Sequence, residues 1–200
     1  FTDLKRPLFI DIGCSKGGFL VDIAKQRPDD YNYLGLEIRP SVALFAKERV
    51  ERRGLTGWLD FIGCNANVDL GRILQRYAQV GGGPVQIAAI QYPDPHFKAR
   101  NAKRRVVTTE LVETLATHMP EGAVVFLQSD IQAVLDDMRD RFRDFPLYFK
   151  DEMGDDLKAY LPENHIGIPT EREVSVLKKN LPVFRSLFRR TSEEFKAKEP

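Results

Sequence analysis

Short apolar runs alternate along the chain with stretches whose apolar residues recur at helical spacing. Residues 8–12 read as a first strand, and Phe19, Leu20, Ile23 and Ala24 then repeat on one helix face. Residues 33–37 read as a second strand. Pro40 suits the first turn of the helix that follows, which carries Val42, Phe45, Ala46 and Val50 on one side and stops at Gly54. Residues 58–62 make a third strand, and Leu70, Ile73, Leu74 and Tyr77 a short helix. Residues 85–90 make a fourth strand. Thr108 caps a helix with Leu111, Val112, Leu115 and Met119 on its apolar face. A fifth strand at 124–127 leads to a helix whose core face is Ile131, Val134, Leu135, Met138 and Phe142. A sixth strand is expected at 146–149, then a polar loop over 151–168. Thr170 and Glu173 stand at capping-box spacing, and 183–188 reads as the last strand.

Strands alternating with helices predict an α/β fold with a mostly parallel sheet wound on both faces. In such a sheet the carboxyl ends of the strands share one edge, where ligands bind. Glu37, Asn65, Asp94 and Asp130 each follow a strand, so the topology brings them together.

Composition narrows the picture only a little. Two hundred residues, 42% apolar and 30% charged, fit one globular domain with its core over about 8–190. Two cysteines without metal-ligand spacing point to a reducing compartment, and the cytoplasm is the expected location. A nucleus or an organelle is the alternative if a targeting segment was trimmed. No apolar run is long enough for a membrane span. The net charge is only +1, so affinity for a polyanion has to come from local clusters. Positive residues gather at 98–105 and again at Arg185, Arg189 and Arg190.

The candidate chemistry lies at the strand ends. Gly13-Cys14-Ser15-Lys16-Gly17-Gly18 is a tight strand-to-helix turn whose glycines let backbone approach a ligand. Ser15 stands where a dinucleotide fingerprint has its middle glycine. Glu37 falls at the ribose-binding position of such folds. Asn65 reads first as a turn former, although its side chain could also pair with an adenine edge. Pro93 and Pro95 flank Asp94, which stiffens the backbone around that carboxylate. Lys98, Arg100, Lys103, Arg104 and Arg105 follow at once. A rigid acid beside a basic strip suggests chemistry on a polyanion.

Together, Asp11-Ile-Gly13, Gly35-Leu-Glu37-Ile-Arg39, Pro93-Asp-Pro-His-Phe-Lys98, Lys103-Arg-Arg105, Ser129-Asp130 and Thr170-Glu-Arg-Glu173 resemble the tRNA (guanine-N7)-methyltransferase family. The Leu-Gly-Leu-Glu-Ile-Arg phrase is closest to eukaryotic and plant-type members. The resemblance implies a class I, Rossmann-like, S-adenosylmethionine-dependent fold whose last strand is antiparallel. It assigns Asp11, Gly13, Gly17, Glu37, Ile38, Arg39, Asn65, Ala66 and Gln91 to the cofactor. Asp94 becomes the catalytic residue, and Lys98, Asp130, Thr170, Glu171, Arg172 and Glu173 become substrate contacts. Arg100, Lys103, Arg104 and Arg105 would hold the tRNA backbone. It also implies tRNA as partner, with a variable-loop guanosine as acceptor, and a non-catalytic WD-repeat subunit if the chain is of the eukaryotic type. His96 remains a turn residue, since guanine N7 carries no proton and its alkylation needs no base. Two rivals stand: an exocyclic-amine RNA methyltransferase of the same fold, and a non-catalytic RNA-binding module.

Overall fold

The computed structural model describes residues 1–95, 105–154, 156 and 158–196. The chain runs β1 (Leu8–Ile12), α1 (Gly18–Gln26), β2 (Asn32–Glu37), α2 (Pro40–Arg52), β3 (Leu59–Gly63), α3 (Ala66–Gln79) and β4 (Val85–Gln91). It continues through α4 (Thr109–His118), β5 (Val124–Ser129), α5 (Gln132–Arg143), β6 (Phe149–Asp151), α6 (Glu171–Lys178) and β7 (Phe184–Arg190). The strands form one seven-stranded sheet in the order β3-β2-β1-β4-β5-β7-β6. Neighbours are parallel from β3 to β5, and β7 is antiparallel to both β5 and β6. The antiparallel last strand is as expected.

Strand alternation sorts the core into two layers. Leu8, Ile10 and Ile12 of β1 and Val125 and Leu127 of β5 pack with Leu70, Leu111, Leu115 and Leu135 of the helices α3, α4 and α5. Phe9 of β1 and Phe126 of β5 face the other way, onto Phe19, Leu20 and Ile23 of α1 and Ala46 and Val50 of α2. Asp11, Gln91, Gln128 and Arg185 share the parity of this second layer, and all stand near the carboxyl edge of the parallel strands.

Two expected elements move. The third helix begins at Ala66, four residues before its first core leucine. Asn65 starts it by accepting the Asn67 N–H on its side-chain oxygen at 3.2 Å. The sixth strand lies at Phe149–Asp151, because residues 145–149 form a tight turn around Pro146 and pairing with β7 starts only at Phe149↔Arg190. The second basic cluster is not a surface patch. The Arg190 guanidinium is buried and donates to Ala116 O at the end of α4 (3.0 and 2.8 Å). Arg185 is buried beneath the sheet edge, and Arg189 pairs with Glu152 at 2.7 Å. Among the described residues no helix is long and apolar enough to cross a membrane.

Candidate active site

A cleft of about 410 Å³ opens along the carboxyl edge of β1, β4 and β5. One wall is the glycine turn, with Asp11, Gly13, Ser15 and Lys16; the other is built by Gln91 and Asp94 at the exit of β4 and by Asp130. Thr170, Glu171 and Arg172 of the sixth helix and its cap close it.

The glycine turn is held by its neighbour strand. The N–H groups of Gly13 and Cys14 both donate to Leu36 O, at 2.8 and 3.1 Å. Gly13 has φ +84° and open space where a Cβ would point, so bare backbone faces the cleft. Gly17 serves differently. It caps α1 in the left-handed conformation, and a Cβ there would stand 2.3 Å from the Phe61 ring. Gly17, expected at the cofactor, is a packing residue outside the cleft lining. Gly18 starts α1 beneath Glu171, whose Oε1 would stand 2.4 Å from an added Cβ.

Asp11 is 4% exposed. Burial pushes its carboxyl up to about 7, and the Gln91 amide works against that by favouring the charged form. Glu37 accepts from the N–H of Ser15 at 3.1 Å, from the N–H of Arg39 at 3.0 Å and from Arg39 Nε at 2.8 Å. Burial raises its pKa, but these Arg39 and Ser15 donors outweigh that and hold it below the ordinary range. The Arg39 side chain is itself 61% exposed. Ile38, Arg39, Asn65 and Ala66 lie past the glycine turn, beyond the cleft proper. The Cys64 N–H bonds to Glu37 O at 2.9 Å, which sets the exposed Ile38 beside Asn65.

Beyond β4 the chain turns at Tyr92, whose φ of +51° is left-handed and whose N–H donates to Gln128 O at 2.7 Å. The turn delivers Asp94 to the cleft mouth as an exposed carboxylate. Opposite it, Arg172 forms an ion pair with Asp130, joining α6 to the end of β5. Thr170 caps α6 by accepting the Glu173 N–H at 3.0 Å. Glu173 itself turns away from the cleft. It is 2% exposed, and its carboxylate takes Arg185 Nη2 at 2.7 Å, Asn164 Nδ2 at 2.8 Å and Gln128 Nε2 at 3.0 Å. The substrate role expected of Glu173 therefore gives way to a buried strut. The sequence reading missed Gln128, Asn164 and Arg185 because their partners are distant in the chain.

His96, Lys98, Arg100, Lys103 and Arg104 lie outside the described residues. Arg105 pairs with Asp137 of α5 and lines a small pocket on the other side of Pro93 and Asp94. The described residues hold no cluster of His, Cys, Asp and Glu suited to a metal. Burial pushes the thiols up, that of Cys64 to about 11, so neither is a ready nucleophile.

The family model described as "Putative methyltransferase" matches residues 5–186. A tRNA (guanine-N(7)-)-methyltransferase of Synechococcus elongatus is 44% identical over 188 residues, covering 94% of this chain and 84% of that protein. One from Nostoc sp. is 42% identical over 187 residues, covering 94% and 81%. Among solved structures, the aminoglycoside resistance methyltransferase NpmB1 superposes with a TM-score of 0.61 at 15% identity, over 95% of this chain and 90% of that one. The fold is that of the class I methyltransferases. With that fold, this cleft and these relatives, the chain belongs to the tRNA (guanine-N7)-methyltransferase family.

Proposed function

We propose that the chain methylates N7 of a guanosine in tRNA, and that Asp94 is the residue on which the transfer turns. The observation that carries this reading is the exposed Asp94 carboxylate, held between two prolines at the mouth of a cleft one wall of which is the bare glycine turn. The cofactor of the family is S-adenosylmethionine, which when bound supplies an electrophilic methyl group on a sulfonium. The donor set fits it. Lys16 and the amino end of α1 suit its carboxylate, the buried Asp11 suits its ammonium, and Glu37 suits its ribose hydroxyls. Ile38, Asn65 and Ala66 offer an apolar surface and one amide for its adenine.

Guanine N7 is a lone-pair acceptor in the major groove, so this chain needs no base there. Its task is alignment and charge. Asp94 accepts the guanine N1–H and amino N–H, which orients N7, and it counters the positive charge that alkylation leaves on the ring. Asp130 and Arg172 brace the opposite side of the mouth. Lys98, Arg100, Lys103, Arg104 and Arg105 neutralise tRNA phosphates, which position without specifying. The bacterial relatives support a chain that acts in the cytoplasm without a WD-repeat subunit.

The test uses labelled S-adenosylmethionine and unmodified tRNA, followed by borohydride and aniline, which cleave at 7-methylguanosine. Wild-type protein should give label and cleavage at one variable-loop guanosine. Asp94→Ala should give neither, with an unchanged melting temperature. Label without cleavage would mean an exocyclic-amine acceptor. No label despite bound cofactor would mean a non-catalytic module.

A further inference from the structure

One polar residue from each of four strands stands on the sheet face that α1 covers: Asp11 of β1, Gln91 of β4, Gln128 of β5 and Arg185 of β7. The register pairs Gln91 with Gln128 and Gln128 with Arg185, so three of them form a straight cross-strand row. Asp11 stands opposite Ala89 and is therefore diagonal to Gln91.

The row has a direction. A guanidinium only donates. Arg185 Nε gives its proton to Gln128 Oε1 at 2.8 Å, so the Gln128 amide must present its NH2 the other way. That NH2 donates to Gln91 Oε1 at 3.1 Å and to Glu173 Oε2 at 3.0 Å. Gln91 in turn has its carbonyl occupied and its NH2 directed onward. The NH2 is buried and has no hydrogen-bond partner among the described residues, and the register sets Gln91 diagonal to the buried Asp11. Two amides, either of which alone could flip, are thus set in series by one arginine. The same arginine holds Glu173 at 2.7 Å and with it the start of α6, which closes the cleft.

We propose that Arg185 and Gln128 are positioning residues for the transfer reaction: they aim the Gln91 NH2 at Asp11 in the cleft wall and, through Glu173, fix α6, so that both take their orientation from one buried guanidinium. The proposal rests on the function proposed above. It differs from a simple core strut in one respect. A strut would hold the sheet together, whereas the row also sets the charge state of Asp11, which its side chains reach only through Gln91. The other charged and titratable groups near Asp11 are Cys14 and Lys16 of the glycine turn, Glu37 of β2, Tyr92, Asp94 and Asp130 beyond β4 and β5, and Glu171 and Arg172 of α6. None of them is altered in the test.

The test follows the Asp11 carboxyl by carbon NMR in the cofactor-free protein, as pH is raised through neutrality. Gln128→Met keeps length and volume and removes the amide. Its Asp11 midpoint should rise by about one unit, because Gln91 no longer has a reason to present its NH2. In a Gln91→Met background the same Gln128→Met change should add nothing. An unmoved midpoint in folded Gln128→Met, or an equal shift in both backgrounds, would overturn the proposal. Should Gln128→Met not fold, Gln128→Asn draws the amide back by one methylene and should raise the midpoint in the same way; an unmoved midpoint there overturns the proposal equally. Calorimetry with S-adenosylhomocysteine runs beside it. Wild-type protein that binds none would sink the proposed function, while the titration still decides the row on its own.

Discussion

Glu37 and Glu173 are 3% and 2% exposed, and each is bound by an arginine. The partners differ. Arg39 is two residues from Glu37 and 61% exposed; Arg185 comes from another element and is 8% exposed. The remaining donors to Glu37 are the backbone N–H groups of Ser15 and Arg39, and those to Glu173 are two side-chain amides. A solvated arginine can be replaced by water at small loss. A buried one cannot leave without stranding a charge. Under the proposed function Glu37 would exchange its arginine for ribose hydroxyls, while Glu173 is committed to the scaffold. Burial alone does not separate the two carboxylates; the exposure of the counter-charge does.

Stability separates the two most sharply. Glu173→Ala leaves the Arg185 guanidinium buried without its carboxylate and should cost about 3–5 kcal/mol in urea denaturation. A loss no greater than that of Glu37→Ala would erase the distinction. Ligand affinity should show the reverse order. Glu37→Gln should weaken S-adenosylhomocysteine binding by about 1–3 kcal/mol in calorimetry, through lost charge-assisted hydrogen bonds, with the melting temperature little changed. Unchanged affinity would remove Glu37 from the ribose.

Asp11 adds a pH dependence between these extremes. Its carboxyl is raised to about 7, so in the free protein it is largely protonated below that pH. A cofactor ammonium favours the ionised form, so binding releases a proton there. Affinity should fall by up to about tenfold for each pH unit below 7, and level off above it. Asp11→Asn should flatten the profile; a wild-type profile already flat would exclude Asp11 from the ammonium. The smallest effect belongs to the cap. Thr170→Ala frees the Glu173 N–H at the start of α6 and should cost about 1 kcal/mol.

The sequence carried the sheet well because alternation and helical spacing are local properties. Thr108, Asn65 and Thr170 all cap helices, and a cap is written within four residues. The strand at Phe149–Asp151 was displaced because only its partner β7 defines it. Thr170 and Glu173 show the limit most plainly. Their spacing forecast a reciprocal capping box, and the Thr170 half is present. The Glu173 half is absent because Arg185, on a strand not yet reached in sequence order, claims the carboxylate. The glycine turn, Asp94 and Asp130 were legible as strand-end chemistry. Gln128 and Arg185 were not, since a polar residue in an apolar strand has no meaning until its register is known.

The strand order has a consequence for the timing of folding. β7, the last strand, inserts between β5 and β6, and β6 has no other neighbour. On a ribosome that delivers about 5–20 residues per second, the parallel part of the sheet can therefore assemble first, but β6 stays unpaired until residue 190 has emerged. Arg185 arrives with that same strand. The buried carboxylate of Glu173 waits for its counter-charge until then, so the cleft takes its final form only once β7 has emerged.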